Sequence, residues 1–187
     1  MGEVAFAGLR LRVRPGVVMT PRPATERVVA AALARMDGVP VRVADAGTGT
    51  GAIAVALAAA KPKAAVWATD VNRRAVALAR ENAARHGVAD RVRVLHGDLL
   101  DPVEGPFDLV VGNLPYLQAA EGGYDGEPPD AVYAPGDGLV HVRRLIDQAA
   151  RELAGGGALV LQYRAQVLEA AKAELGALRA ALSSPGS

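Results

Sequence analysis

The sequence predicts an α/β protein with a largely parallel sheet covered by helices on both faces, and three observations carry that reading. Short apolar runs alternate with longer helical stretches from Val41 onward, the order in which βαβ units build a parallel sheet. One stretch, VRVADAGTGTGAIAVALAAA from Val41 to Ala60, joins a strand fit for burial on both faces to a glycine turn and an apolar helix. Asp45, Asp70, Asp98 and Asn113 each stand where a predicted strand ends, on the rim where open α/β sheets hold ligands.

Val4 to Val18 alternates apolar residues with Arg10, Arg12 and Arg14 and turns at Pro15-Gly16, which predicts a β-hairpin with its arginines on one face. Residues 1–22 form an N-terminal arm on this reading. Two prolines in Met19-Thr20-Pro21-Arg22-Pro23-Ala24-Thr25-Glu26 fix an extended lead into a helix that runs to about Met36 and closes at Asp37-Gly38. After the first strand of the sheet, Gly47, Gly49 and Gly51 fall at alternate positions. Lacking a Cβ, they can take positive φ in a tight turn and let the N–H groups of a helix N-terminus approach a ligand.

Pro62 ends the helix that follows, and Ala64 to Thr69 form a second strand finishing at Asp70. Asn72 caps the helix RRAVALARENAARH, which Gly87 stops. A third strand, Arg91 to Leu95, leads to His96-Gly97-Asp98-Leu99, and a fourth, FDLVVG, ends at Asn113-Leu114-Pro115-Tyr116. Residues 117–138 lack periodicity and read as a loop over the site, since structureless connections of that length are usually functional. A helix from Leu139 to Leu153, three glycines, a fifth strand from Ala158 to Tyr163, a final helix from about Ala165 to Leu182 and a disordered tail at 183–187 complete a single domain.

Composition narrows the functions. The absence of Cys excludes disulfides and cysteine metal sites, and His86, His96 and His141 are too scattered for a metal cluster, so no metal is expected. No apolar run reaches the roughly 18 residues of a membrane span and no signal-peptide layout is present, which predicts a soluble, cytoplasmic protein without a membrane partner. Residues 1–43 carry a net charge of +4, whereas residues 98–137 carry nine acidic side chains and no Lys or Arg. So acidic a stretch repels a phosphate backbone and makes nucleic acid the less favoured substrate.

Gly47-x-Gly49-x-x-Ala52 also satisfies the dinucleotide fingerprint. Asp45 tips the balance away from it, because a carboxylate two residues before the first glycine crowds a pyrophosphate but suits an ammonium and a sulfonium. Asp70, one βαβ unit further on, is placed to accept both hydroxyls of a ribose. Strand order reverses between the first and fourth strands, so the glycine turn and NLPY should face each other.

The D-x-G-x-G-x-G order of Asp45 to Gly51 resembles the first motif of S-adenosylmethionine (SAM) dependent methyltransferases. With Phe6-x-Gly8, PRPATE, Asp70, Gly97-Asp98, FDLVVGNLPY, Glu127-Pro128 and Gly136-Asp137-Gly138-Leu139, residues 4 to 170 resemble the catalytic domain of HemK-type protein-(glutamine-N5) methyltransferases. The resemblance implies a Rossmann-like sheet of order 3-2-1-4-5, SAM as cofactor, and a protein substrate such as a translation release factor. It puts Gly47, Gly49 and Gly51, with Asp45 and Thr48, around the methionine portion of SAM, Asp70 on the ribose, and Asp98 and Leu99 at the adenine. It puts Asn113 beside both cofactor and acceptor. Its side-chain oxygen and the Leu114 carbonyl would each accept one N–H of an acceptor amide, Pro115 would hold Leu114 extended, and Tyr116 would pack on the flat amide.

Three departures qualify the resemblance. NLPY replaces the family's usual NPPY and also occurs in ribosomal RNA adenine dimethyltransferases, so N6-adenine methylation of RNA or DNA is the second reading. By this reading the helical N-terminal domain of bacterial members has no counterpart within the sequence. Nor do the sixth and seventh strands of the class, which predicts an open sheet edge for a homodimer or partner chain to cover. A non-catalytic SAM-binding or interaction module is the third reading.

Overall fold

A computed structural model describes residues 2–36, 41–118, 125–163 and 166–183. Strands β1 (Gly2–Phe6) and β2 (Leu9–Val13) pair antiparallel as a separate hairpin. Then come α1 (Pro23–Leu33), β3 (Arg42–Ala46), α2 (Ala52–Ala60), β4 (Ala65–Asp70), α3 (Arg73–Arg85), β5 (Val92–His96) and β6 (Phe107–Gly112). The chain finishes with α4 (Val140–Glu152), β7 (Leu153–Tyr163), β8 (Gln166–Ala171) and α5 (Leu175–Ser183). The main sheet runs β5-β4-β3-β6-β7-β8, with its first five strands parallel and β8 antiparallel to β7. The predicted order 3-2-1-4-5 is therefore present.

Because successive strand residues point to opposite faces, each strand feeds two cores. Val43, Val66, Val94, Leu109 and Val160 pack towards α1, α2 and α3, whereas Ala44, Ala46, Val110, Leu159 and Leu161 pack towards α4 and α5. Helix α2 is apolar all round because the sheet, α1 and α3 together leave it almost no exposed face; Ala52 to Ala58 are all buried. Asn72 caps α3 by accepting from the Arg74 N–H at 2.9 Å. The helices switch faces after β5, and the crevice between β3 and β6 opens at the carboxyl ends of the strands.

Three elements differ from expectation. The hairpin reverses at Ala7-Gly8, both with positive φ (48° and 77°), and not at Pro15-Gly16. Two left-handed residues match the twist of a tight hairpin, and the Ala7 N–H is held by Glu26 Oε1 of α1 at 3.0 Å. The expected final helix starts only at Leu175, since Gln166–Ala171 pair along β7 as an antiparallel strand that moves the sheet edge outward. The three glycines lie inside β7, beside a register shift against β6 between Phe107 and Leu109.

The Asp37-Gly38 helix stop lies outside the described residues, as do 119–124 of the predicted loop and 184–187 of the predicted tail. Among the described residues no helix is long and apolar enough to cross a membrane, and no group of acidic or histidine side chains could hold a metal ion.

Candidate active site

The turn after β3 takes left-handed conformations at Gly47, Gly49 and Gly51 (φ 70°, 57° and 80°), which glycine adopts without strain. Each glycine has its own duty. A Cβ on Gly47 would lie 2.7 Å from Leu114 Cδ2, so that glycine lets the NLPY segment close onto the turn. One on Gly51 would lie 3.0 Å from Ala79 Cβ, so Gly51 sets the approach of α2 to α3 and does not line the cavity. Gly49 donates its N–H to Asp70 Oδ2 at 2.8 Å.

Asp70 ends β4 beside this turn. Its second oxygen accepts the Asn72 N–H at 2.8 Å, which fixes the carboxylate plane while leaving lone pairs on both oxygens. Burial raises its pKa above the ordinary value, opposed by those two backbone donors. Asp45 behaves differently from expectation: it is wholly buried behind the turn and outside the cavity lining. One oxygen accepts from Thr48 Oγ1 at 2.6 Å and from the Ala54 N–H at 3.2 Å, tying the turn to the first turn of α2. The other, Oδ1, has no partner among the described residues, and burial pushes the carboxyl up to about 6.

Two cavities open at the carboxyl ends of the strands. The first, about 250 Å³, is lined by Gly47, Gly49, Asp70, Asp98, Leu99 and Asn113 among others. Leu99 holds a positive φ of 46° while its carbonyl accepts from Thr69 Oγ1 at 2.5 Å, a strained backbone of the kind that collects at functional sites. Asp98 is paired with Arg144 of α4 at 2.7 Å. Thr48 faces a smaller adjoining hollow with Gly47 and Gly49. The second cavity, about 310 Å³, is lined by Arg22, Thr25, Tyr116 and Gln162 among others. Asn113, Leu114 and Pro115 line both, so they form the wall between the two cavities.

Around that wall the sequence motifs act as struts. Asn113 Nδ2 donates to Thr25 Oγ1 of α1 at 3.0 Å, which leaves the amide oxygen as the end available to accept. Tyr116 meets Tyr163 of β7 edge-on with ring centroids 5.7 Å apart. Gly138 is a glycine because a Cβ there would strike the Tyr116 carbonyl oxygen. Glu127 accepts the Thr20 N–H at 3.1 Å and lies 3.6 Å from the Arg22 guanidinium. Leu117 pairs with Tyr133 in a parallel bridge that ties the described part of the 117–138 segment to NLPY.

Sequence reasoning missed Val17, Val18 and Met19 between the hairpin and α1, Val71 after Asp70, and His141 and Arg144 of α4, all lining the first cavity. A large apolar residue directly after a strand-end acid was the signal for Val71, which is 62% exposed. It also missed Asn82, a buried amide that bonds both backbone groups of Arg12 and the Thr50 carbonyl, fastening the hairpin to the glycine turn.

Residues 24–125 match the Methyltransferase small domain family. The release factor glutamine methyltransferase of Deinococcus radiodurans is 42% identical, over 86% of this chain and 59% of the relative. That of Bordetella pertussis is 39% identical, over 94% of this chain and 67% of the relative. The chain thus spans about three fifths of the length of most curated relatives it matches. Among solved structures, the ribosomal protein L11 methylase of Lactobacillus delbrueckii subsp. bulgaricus is 27% identical with a TM-score of 0.55, over 75% of this chain and 60% of that one. A methyltransferase from Pyrococcus furiosus shares the fold at 20% identity and a TM-score of 0.64, over 92% and 75%. This chain belongs to the Methyltransferase small domain family.

Proposed function

We propose that this chain is a SAM-dependent methyltransferase that modifies the side-chain amide nitrogen of a glutamine in a protein, a translation release factor being the favoured substrate. The observation that carries the reading is the Asn113-Leu114-Pro115 wall, with a glycine- and carboxylate-lined cavity on one side and an amide- and tyrosine-lined cavity on the other.

The first cavity fits SAM. Gly47 and Gly49 offer bare backbone, the clamped Asp70 carboxylate suits a ribose diol, and the unmatched Asp45 Oδ1 gives the region behind the turn a negative charge that favours a cationic ligand. When bound, SAM supplies an electrophilic methyl group on a sulfonium. Asp98 and Leu99 would border the adenine and Asn113 would reach both ligands.

An amide nitrogen is a poor nucleophile because its lone pair is delocalised into the carbonyl. Asn113 Oδ1 and the Leu114 carbonyl each accept one N–H of the acceptor, which turns the lone pair towards the first cavity. Pro115 keeps Leu114 extended so that its carbonyl is available, and Tyr116 packs on the amide plane. The nitrogen that gains a methyl is strongly acidic, so its proton leaves without a strong base. The test uses methyl-tritiated SAM, the purified chain and a recombinant release factor. Protease-sensitive label on a glutamine supports the reading; nuclease-sensitive label on RNA would favour adenine, and SAM binding without transfer would identify a binding module.

A further inference from the structure

We propose that Gln162 is a substrate-binding residue that accepts a main-chain N–H of the acceptor peptide in the second cavity. The inference rests on the glutamine reading above and extends its acceptor site onto β7. Along this strand Leu159 and Leu161 face α4, while Ala158 and Val160 face α1 and α2. Gln162 continues the second row beyond the core, to the level where Asn113 and Thr25 line the cavity with it. The residue is only 6% exposed, yet its Oε1 has no hydrogen-bond partner among the described residues. A carbonyl removed from water and given no donor is unfavourable, and buried acceptors in folded proteins are nearly always matched. What matches this one is a donor entering the cavity.

The residue is also held in place. Leu161 packs beneath Gly112, where a Cβ would lie 3.3 Å from Leu161 Cδ2, and Tyr163 meets the Tyr116 ring. The chemistry of the donor follows from its surroundings. Arg22 and Arg27 line the same cavity and Glu127 lies against Arg22 alone of the two, so the charge facing a donor is on balance positive and a neutral N–H is favoured over a lysine ammonium. Both N–H groups of the acceptor carboxamide are taken by Asn113 and Leu114, which leaves the main-chain amide beside the glutamine as the donor for Gln162. That bond would set the direction in which the peptide crosses the cavity.

The test measures binding and turnover separately in the full chain, in the parent, Gln162→Leu and Gln162→Glu. N-acetylglutamine N-methylamide is titrated by NMR into protein saturated with S-adenosylhomocysteine, and methyl transfer to a recombinant release factor is followed by steady-state kinetics. Gln162→Leu should weaken the small amide, and raise KM for the release factor, by about tenfold, with kcat and cofactor affinity little changed. Gln162→Glu keeps an accepting oxygen and should stay near the parent, which separates a lost contact from a damaged fold. Equal affinity of the leucine variant and the parent, or a parent that does not bind the small amide, overturns the proposal. A parent that binds the amide through Gln162 but leaves the release factor unmodified keeps the proposal and overturns the release-factor reading.

Discussion

At the scale of single residues, the chemistry of this site turns on which polar groups are matched. Asp45 is wholly buried with one oxygen matched, and its carboxyl is pushed up to about 6 from 3.8. A raised folded pKa means that the folded state holds the proton more tightly. Its stabilising effect is full below about pH 4 and is lost as pH rises through 6, a swing of about 3 kcal/mol. Asp45→Asn should remove that dependence, so its stability relative to the parent should grow between pH 4.5 and 7. Urea titrations with the same pH slope in both proteins would refute this. Asp70→Ala should weaken SAM by about 1–3 kcal/mol in calorimetry through loss of charge-assisted hydrogen bonds to the ribose. Unchanged affinity would remove Asp70 from the cofactor site. Asn113→Ala should leave SAM affinity within a few-fold while slowing turnover about a hundredfold, roughly 3 kcal/mol of barrier. Thr25→Val, which frees the Asn113 amide to turn over, should reproduce part of that loss, and a valine variant as fast as the parent would show that the bond has no orienting role.

Among the elements, local pattern and tertiary demand agree for most of the chain and part company at its two ends. Strands β3 to β6 and helices α2 and α3 were legible because apolar runs, capping Asn72 and stopping Gly87 all pointed to the same structure. Gln166–Ala171 was not, since Leu, Glu and Ala are good helix formers. Pairing with β7, burial of Ala170 and an ion pair from Glu169 to Arg35 outweigh that local preference. The hairpin turn was hidden for the opposite reason, because Ala7 is a poor left-handed residue and is held there by a side chain of a distant helix. Helix packing makes Gly51 the most sensitive of the turn glycines to stability. With φ at 80° and the α3 backbone 3.1 Å from a new Cβ, Gly51→Ala should cost about 1–3 kcal/mol. Thermal denaturation would measure it, and an unshifted midpoint would show that α2 and α3 can separate freely.

Across the whole molecule, the crossover between β3 and β6 brings together segments far apart in sequence. The glycine turn, Asp70, Asp98 and NLPY all reach one rim, as their strand-end positions foretold. The facing contributions of α4 and of the segment before α1 were not legible, because nothing local in Val17, Met19, His141 or Arg144 signals what they border. Nor was the inward placement of Asp45, since a strand-end carboxylate reads the same whether it points into a cavity or braces a turn. The contact of Leu114 with the bare backbone of Gly47 carries a wider consequence. With no side chain between them, either segment can shift only if the other yields, so filling one cavity changes the free energy of filling the other. Such linkage is reciprocal: whatever factor a bound cofactor analogue applies to peptide affinity, the peptide must return to the analogue. Enlarging the gap with Leu114→Ala should bring that shared factor towards one, and titrations in which the variant keeps the parent's factor would rule out Leu114 as the coupling element.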